Sequence, residues 1–198
     1  MVAVTGRHAE RWCCAWLLLL AACLPRPAAA LETTRVDARD SAVGFVLRTR
    51  WGQRLEGRIP VLAGEVRPVG AGLRQVRLRL SARDVEIVGY PRYTQLTRDE
   101  AFFDADRHPE VSFVSDPFGP ELVRTGGALV GVLQLRGVER RETFHVEPAP
   151  CERPMLDCAV VAAGVVSRGD YAMDRWSFAL GERVQFRLSL RGTEAATP

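Results

Sequence analysis

The chain has 198 residues, a length that suggests one domain with accessory segments. All 27 of its basic residues are arginine, against 24 acidic residues. Residues 1–30 hold three of the basic and one of the acidic residues, which leaves 24 against 23 in the rest of the chain. A nearly neutral chain has no strong positive field, so we expect no nucleic-acid partner.

The amino terminus has the pattern of a secretion signal. An apolar run over residues 13–22 follows a basic start, and residues 28–30 are the small alanines that signal peptidase requires. The run is too short to cross a bilayer comfortably, so we expect no membrane span in the mature form. We predict that residues 1–30 are a signal peptide and that the protein is periplasmic or secreted. Leu20–Cys23 resembles a lipobox, so a lipoprotein anchored through Cys23 is the alternative.

The rest of the chain is dominated by alternation of apolar and other residues. Such runs cover residues 42–47, 76–80, 111–113, 129–135, 144–146 and 184–191. A period of two is typical of strands with one face toward a core, and glycine- and proline-rich turns separate the runs at hairpin spacing. Eight to ten strands without covering helices predict a sandwich or a closed barrel. Closure is favoured because it removes exposed edges.

Residues 90–108 break the strand rhythm. Thr97 and Glu100 have the spacing of a capping box, in which a hydroxyl caps a helix and a carboxylate reaches back. We therefore predict a short helical insertion of one or two turns. The apolar side chains expected to pack inward from it are Leu96, Phe102 and Phe103.

Two cysteines, Cys151 and Cys158, follow the predicted signal peptide. In an oxidising compartment, two cysteines so close in sequence favour a disulfide closing a short loop over two free thiols. They are too few for a metal site, and His108 and His145 have no metal-ligand spacing. We therefore expect a disulfide between Cys151 and Cys158 and no metal.

Catalytic motifs are hard to find in this sequence. It has no phosphate loop, no dinucleotide fingerprint and no G-x-S-x-G elbow. His108, close to Asp104 and Asp106, is the one candidate acid or base, but a loop histidine beside solvated carboxylates is the favoured interpretation. We predict no catalytic residue, and hence not an enzyme.

Four segments, in order along the chain, carry a family resemblance. They are Val36–Phe45 (VDARDSAVGF), Phe102–Ser115 (FFDADRHPEVSFVS), Leu133–Val138 (LQLRGV) and Val166–Met173 (VSRGDYAM). They resemble the V-D-x-x-x-S-x-V-x-F, F-F-D-x-x-x-x-P-x-x-x-F-x-S, L-T-L-R-G-V and I-N-R-x-D-F-G segments of the YceI-like family, secreted lipocalin-like proteins associated with polyisoprenoid binding. The resemblance predicts a YceI-like domain over residues 31–192 and a loose tail over residues 193–198.

The resemblance implies an all-β fold, an antiparallel lipocalin-like barrel of about eight strands around an apolar channel. Candidate channel walls are Phe45, Leu78, Leu96, Phe102, Phe103, Phe113, Leu133 and Phe186. Ordinary core packing explains any single one of them equally well. Arg98 and Arg136 are candidates for contact with a headgroup, although a solvated hairpin face is the favoured interpretation of the cluster 136–141.

The function expected from the resemblance is that of a carrier for a long apolar isoprenoid lipid, of polyprenyl or isoprenoid-quinone type. Binding of this kind needs only burial, worth about 0.8 kcal/mol per methylene. No cofactor is expected other than this bound lipid or quinone, and a homodimer remains open. The alternative is a structural or stress-related envelope barrel filled by its own side chains; an enzyme using His108 is the remote third hypothesis.

Overall fold

The computed structural model describes residues 33–193. The predicted signal peptide, the alternative anchor at Cys23 and nearly all of the predicted tail lie outside these residues. The strands are β1 Thr34–Val36, β2 Ala42–Thr49, β3 Arg54–Arg58, β4 Val61–Pro68, β5 Arg74–Ser81, β6 Glu86–Ile87, β7 Glu110–Ser115, β8 Gly127–Leu135, β9 Val138–Val146, β10 Val160–Ser167, β11 Leu180–Leu190 and β12 Gly192–Thr193. The helices are α1 Pro91–Arg98 and α2 Leu122–Thr125, with a 3₁₀ turn at Gly169–Tyr171.

The twelve strand segments form eight barrel strands. Four barrel strands are each interrupted once, between β1 and β2, β3 and β4, β5 and β6, and β11 and β12. Each barrel strand is antiparallel to the next, and the last returns to the first, with Val184 opposite Leu47 and Thr193 opposite Arg35. The ladder therefore closes, and the predicted antiparallel barrel of about eight strands is confirmed.

Three of the four interruptions have local chemical causes. Pro60, between β3 and β4, has no N–H for a ladder bond. The carboxylate of Asp37 accepts the N–H of Arg39 at 2.8 Å after β1, a local turn that competes with strand pairing. After β5, the hydroxyl of Ser81 donates to Asp84 at 2.6 Å. Apolar alternation continues across the β3–β4 break, where Leu55, Ile59 and Val61 are all buried.

Alternation sorts the side chains between the interior and the outer face. In β5, Leu78 and Leu80 are buried while Arg77 and Arg79 are exposed. On the outer face arginines pair with carboxylates across strands, as Arg79 does with Glu110 at 2.9 Å. Such exposed pairs add little stability. The interior, by contrast, is one apolar cluster to which every barrel strand contributes.

Because neighbouring strands run in opposite directions, the connections fall at two ends of the barrel. End A carries the β2–β3 loop, the segment with α1, the β8–β9 hairpin and the β10–β11 segment. End B carries the β4–β5 loop, the segment with α2 and the β9–β10 loop. Each cavity described below lies toward one of these two ends.

The helical insertion is present, but it begins earlier than predicted. Helix α1 starts with Pro91, whose fixed φ suits the first helical position, and it ends where the capping box was expected to begin one. The hydroxyl of Thr97 donates to the carbonyl of Tyr93 at 2.7 Å, one turn back, so it caps nothing. The capping-box prediction at Thr97 and Glu100 is therefore wrong. Phe103 is buried and Phe102 half-buried, but Leu96 is 42% exposed.

The β8–β9 hairpin turns on two residues with positive φ, Arg136 at 52° and Gly137 at 73°. Both angles suit a type I′ turn, and a Cβ on Gly137 would lie 2.6 Å from the ring of His108. The guanidinium of Arg136 donates to the carbonyls of Glu100, at 2.7 Å, and Ala172. Arg136 thus connects three end A segments through backbone carbonyls rather than pointing at a headgroup.

The predicted disulfide between Cys151 and Cys158 is present at end B. Inside its loop Met155 is buried, and the N–H of Met155 donates to the carbonyl of Cys158 at 2.9 Å. The carbonyl of Met155 accepts the N–H of Gly192 at 2.8 Å, which ties the loop to β12. Thr193, predicted to begin the loose tail, lies in β12 opposite Arg35.

Within residues 33–193, no helix has the length and apolar character needed to traverse a bilayer.

Tyr171 is the largest fully buried side chain, and its hydroxyl donates to Glu142 at 2.8 Å. Burial first, and then the hydrogen bond to the Glu142 carboxylate, raise the pKa of Tyr171 well above its usual value near 10. In the unfolded chain this pKa returns to about 10. The contribution of Tyr171 to stability is therefore complete below about pH 10 and declines as the pH rises further.

We predict that the free energy of unfolding falls above about pH 10 by up to about 1.4 kcal/mol per pH unit, measured by urea unfolding between pH 8 and 11.5. The chain has no lysine to mask this effect. Tyr171→Phe should flatten the decline, at a cost in stability near neutral pH because Glu142 loses its partner. Tyr93→Phe, at a largely exposed tyrosine, is the control. Parallel declines in all three proteins would contradict the assignment to Tyr171.

Candidate functional site

The barrel interior contains two apolar cavities. Cavity 1, of about 110 Å³, lies toward end B, where Leu122, Pro154 and Met155 contribute to its lining. Cavity 2, of about 210 Å³, lies toward end A, where α1 and the β10–β11 segment contribute. An empty apolar cavity of about 150 Å³ is enough to bind a molecule of benzene. Cavity 2 exceeds that volume and cavity 1 falls short of it, so each could hold only part of a long apolar ligand.

All eight predicted channel-wall residues line one or both cavities. Those lining cavity 1 are Leu78, Phe103, Phe113, Leu133 and Phe186. Those lining cavity 2 are Phe45, Leu96, Phe102, Phe103 and Phe186. The fold thus brings together residues that lie up to 141 positions apart in the sequence. Their contact with a ligand remains a prediction, because core packing would also place most of them inside.

Three phenylalanine rings stand between the cavities. The ring centroid of Phe45 is 6.5 Å from that of Phe103 and 5.9 Å from that of Phe186. Phe103 and Phe186 line both cavities. We call these three residues the aromatic partition. A ligand longer than one cavity has to pass it, which requires side-chain rotation but no change in the strand ladder.

The position of Phe45 in the partition depends on a glycine. Gly57 lies directly opposite Phe45 in the β2–β3 ladder, and a Cβ on Gly57 would come within 2.1 Å of the ring. The missing side chain lets the ring lie against the sheet instead of projecting further inward. Gly131 and Gly164 similarly leave room for the rings of Phe113 and Phe144, each of which a Cβ would meet at 2.6 Å. Glycines on the strands thus help to keep the interior incompletely filled.

The rim of cavity 2 is aromatic and open to solvent. Trp51, in the β2–β3 loop, is 70% exposed, and Trp176, in the β10–β11 segment, is 46% exposed. Both line cavity 2, together with Tyr93 and Leu96 of α1. The exposure of Leu96, unexpected from the sequence, therefore follows from its place at this rim. An apolar molecule entering the barrel has a more accessible route at this rim than through the strand ladder.

One charged side chain, Arg168, lines cavity 2, and it is only 2% exposed. Its Nε donates to the carbonyl of Gly181 at 2.9 Å, and its Nη1 to the carbonyls of Met173 and Arg175. Its Nη2 is buried and has no hydrogen-bond partner. Burial lowers the pKa of Arg168, while Glu182 and Asp174 oppose this shift.

Glu182 provides the nearby compensating charge. Its Oε1 accepts the hydroxyl of Ser167 at 2.7 Å and the N–H of Gly169 at 2.6 Å. These hydrogen bonds, more than the charge of Arg168, hold the pKa of Glu182 below its usual range. The carboxylate is therefore ionised at neutral pH, and Arg168 does not stand as an uncompensated charge inside the fold.

The sequence pointed to other arginines for a polar contact. Arg98 donates from Nε to the carbonyl of Val85 at 2.9 Å, and Arg136 holds two carbonyls at end A. Neither lines cavity 1 or cavity 2. Arg168 is in the Val166–Met173 segment that carried the family resemblance, but its burial was not predicted from the sequence. No group of histidine, cysteine and carboxylate side chains within residues 33–193 is arranged to hold a metal ion.

We predict that Gly57→Ala lowers the free energy of unfolding by about 1–3 kcal/mol, because the new methyl group overlaps the ring of Phe45. Gly44→Ala is the matched control, since its Cβ would lie 3.6 Å from the carbonyl oxygen of Gly57, an ordinary contact. It should change stability by no more than about 0.5 kcal/mol. Denaturant unfolding of both variants measures the difference, and equal effects would contradict this account of Gly57.

Comparison with solved structures supports the fold. A crystal structure of BcnA from Burkholderia cenocepacia superposes with a TM-score of 0.63 at 19% identity, covering 78% of this chain and 98% of that one. A domain from Saccharophagus degradans, described as polyisoprenoid binding and implicated in plant cell wall breakdown, gives a TM-score of 0.62 at 16% identity. That match covers 83% of this chain and 99% of the other. At these identities the likeness shows the fold alone.

Among curated proteins, none matches the chain in sequence. The family model for the YceI-like domain, in contrast, matches residues 35–191, nearly the whole barrel. This range includes the four segments in which the resemblance was noted, and it includes both cavities' principal walls. The chain therefore belongs to the YceI-like family.

Proposed function

We propose that the protein binds a long apolar isoprenoid lipid, of polyprenyl or isoprenoid-quinone type, inside the barrel and carries it. The observation that carries this proposal is the pair of apolar cavities, which lie toward opposite ends of the barrel and share Phe103, Leu135 and Phe186 as lining residues. Membership of the YceI-like family and the polyisoprenoid-binding description of the Saccharophagus degradans domain support the same ligand class.

The energetics of burial favour a long ligand. One five-carbon isoprene unit contributes about 4 kcal/mol when it is fully buried. Association itself costs about 4–15 kcal/mol before any affinity appears. Several units are then needed for tight binding, more than either cavity holds alone. A tail that begins in cavity 2 and passes the aromatic partition into cavity 1 meets this requirement.

The alternative, an envelope barrel filled by its own side chains, is less well supported by these cavities. Glycines at positions 57, 131 and 164 let the rings of Phe45, Phe113 and Phe144 lie against the sheet instead of projecting further into the interior. A purely structural barrel gains stability from a filled core, because unfilled volume removes packing contacts. The unfilled interior therefore favours binding, and no catalytic step is part of the proposal.

We further propose that the protein works in the periplasm or outside the cell. The disulfide between Cys151 and Cys158 is of the kind that persists in oxidising compartments. The expected mature chain begins at Leu31, after removal of residues 1–30. The intact mass of the protein recovered from its natural host tests this. A diacylated chain beginning at Cys23 would support the lipoprotein alternative, and an uncleaved chain would contradict both.

Ligand binding is testable with tryptophan fluorescence, because Trp51 and Trp176 are the tryptophans within residues 33–193 and both line cavity 2. We predict that a benzoquinone with an isoprenoid tail quenches this fluorescence saturably, while the same quinone without a tail does not. Trp51→Phe and Trp176→Phe should each lose part of the quenching. Absence of saturable quenching, together with absence of lipid in an organic extract of the native protein, would refute the carrier function.

Two neighbouring alanines of β10 provide a matched pair of variants that tests where the lipid tail lies. Ala162 lines cavity 1, whereas Ala163 lies on the outer face. Ala162→Phe should abolish the advantage of an eight-unit tail over a two-unit tail, because it fills the space beyond the partition. Ala163→Phe should keep that advantage. Equal behaviour of the two variants would mean that the tail does not extend into cavity 1.

A further inference from the structure

Exposed aromatic side chains are concentrated at one place on the outside of the protein. Within residues 33–193 the largely exposed aromatic residues all belong to end A, and they are Trp51, Tyr90, Tyr93, Trp176 and Phe178. Phe178 is 77% exposed, and its ring centroid lies 5.6 Å from that of Trp176. We call these five residues the end A patch. Soluble proteins seldom expose a group of apolar side chains of this kind unless it contacts a partner or a membrane.

Hydrogen bonds hold the three segments that carry this patch together. The N–H of Arg50 donates to the carbonyl of Ala179 at 2.8 Å, and its Nε donates to the carbonyl of Ser177 at 3.0 Å. The side-chain amide of Gln53 donates to the hydroxyl of Tyr90 at 3.3 Å. The β2–β3 loop is thereby attached to the β10–β11 segment and to the residue before α1. The patch is therefore a preformed surface made by three parts of the chain.

The segments that carry the end A patch are also basic. They hold six arginines and one acidic residue, Asp174, over residues 48–54, 90–98 and 174–178. Residues 31–198 as a whole hold 24 basic and 23 acidic residues. A protein with almost no net charge thus has a local excess of positive charge around its exposed aromatic side chains.

Negative charge lies mainly outside these segments. Four acidic residues of end A, between Asp99 and Asp106, follow α1, where Arg136 of the β8–β9 hairpin donates to the carbonyl of Glu100 at 2.7 Å. The connections of end B hold two arginines and five acidic residues, over residues 69–73, 116–126 and 147–159. The two ends of the barrel therefore differ in the charge of their loops, which gives the molecule a direction toward an anionic surface.

We propose that the end A patch docks the protein on the surface of a membrane that contains anionic phospholipid, with Trp51, Trp176 and Phe178 entering the headgroup region. Tryptophan and tyrosine are favoured at the level of the headgroups, and arginines close to the surface are attracted to anionic lipid. This inference concerns the outer surface and goes beyond the proposed function. For a lipid carrier, docking places the opening of cavity 2 against the bilayer.

A lipid surface suits the patch better than a protein partner does. The arginines present one sign of charge from three separate segments, and a continuous anionic surface matches this charge without individually placed carboxylates. The patch also surrounds the apolar opening of cavity 2, to which Trp51, Tyr93 and Trp176 contribute. Apolar side chains around such an opening gain from burial at the boundary between headgroups and acyl chains.

The test measures sedimentation of the protein with vesicles of phosphatidylcholine alone and of two-thirds phosphatidylcholine with one-third phosphatidylglycerol. The protein used is the compact unit Leu31–Pro198, because the apolar run before it would bind membranes by itself. It should bind the anionic vesicles about ten-fold or more tightly than the neutral ones at low ionic strength. Binding should weaken between 0.01 M and 0.15 M salt, where the screening length falls from about 30 Å to about 8 Å.

Phe178 separates docking from binding inside the barrel, because it is exposed and lines neither cavity. Phe178→Ser should weaken vesicle binding about five-fold or more, since a large apolar side chain no longer leaves water. Leu73→Ser, at an exposed residue of the β4–β5 loop at end B, is the matched control and should stay within about two-fold.

A second pair of variants tests the charge. Arg92→Gln, at an exposed arginine of α1, should weaken binding to the anionic vesicles about five-fold. Arg124→Gln, at an exposed arginine of α2 at end B, is the control and should change it by less than about two-fold. Phosphatidylcholine with bromine near the headgroup end of its acyl chains, added to the anionic vesicles, should quench the fluorescence of Trp51 and Trp176.

The outcomes separate this inference from the proposed function. Absence of sedimentation with anionic vesicles at low ionic strength would overturn membrane docking while leaving lipid binding in the barrel untouched. Equal binding to neutral and anionic vesicles would overturn the role of the arginines. A loss of binding in Leu73→Ser or Arg124→Gln that matches the loss in Phe178→Ser or Arg92→Gln would contradict docking through end A.

Discussion

Closure of the strand ladder is the constraint on which the rest of the structure depends. Because β11 and β12 pair with β2 and β1, the inner faces of all eight barrel strands share one interior. Eight strands enclose a space that side chains can just fill, or that can hold one small ligand. Whether side chains fill this space or leave room for a ligand then depends on the size of the inward-facing residues. Glycines beneath Phe45, Phe113 and Phe144 move the balance toward unfilled space.

The two ends of the barrel differ in structure. At end B, the disulfide loop places Met155 against cavity 1. The hydrogen bond between the carbonyl of Met155 and the N–H of Gly192 attaches this loop to β12. At end A, the rim of cavity 2 consists of aromatic side chains on loops and on α1, with Trp51 and Trp176 open to solvent. A ligand that enters at end A and stops against end B acquires a fixed direction.

Arg168 supports the segment at the entrance to cavity 2. Its hydrogen bonds to the carbonyls of Met173, Arg175 and Gly181 hold the segment that carries Trp176, whose φ of 65° is unusual for a bulky residue. Strained backbone persists where surrounding contacts determine it, and such strain concentrates at binding sites. Nη2 of the same guanidinium is buried without a hydrogen-bond partner.

The sequence by itself determined the fold class, the inward and outward faces of the strands, the Cys151–Cys158 pairing and the family. These features are local or periodic: alternation reports which face is buried, and two nearby cysteines have few partners to choose from. Tertiary structure decided the exposure of Leu96 at the rim of cavity 2, the split of the interior by Phe45, Phe103 and Phe186, and the burial of Arg168. Each of these depends on residues distant in sequence meeting across a closed barrel. Alternation cannot reveal such meetings, because it records the face of a residue and not its neighbours.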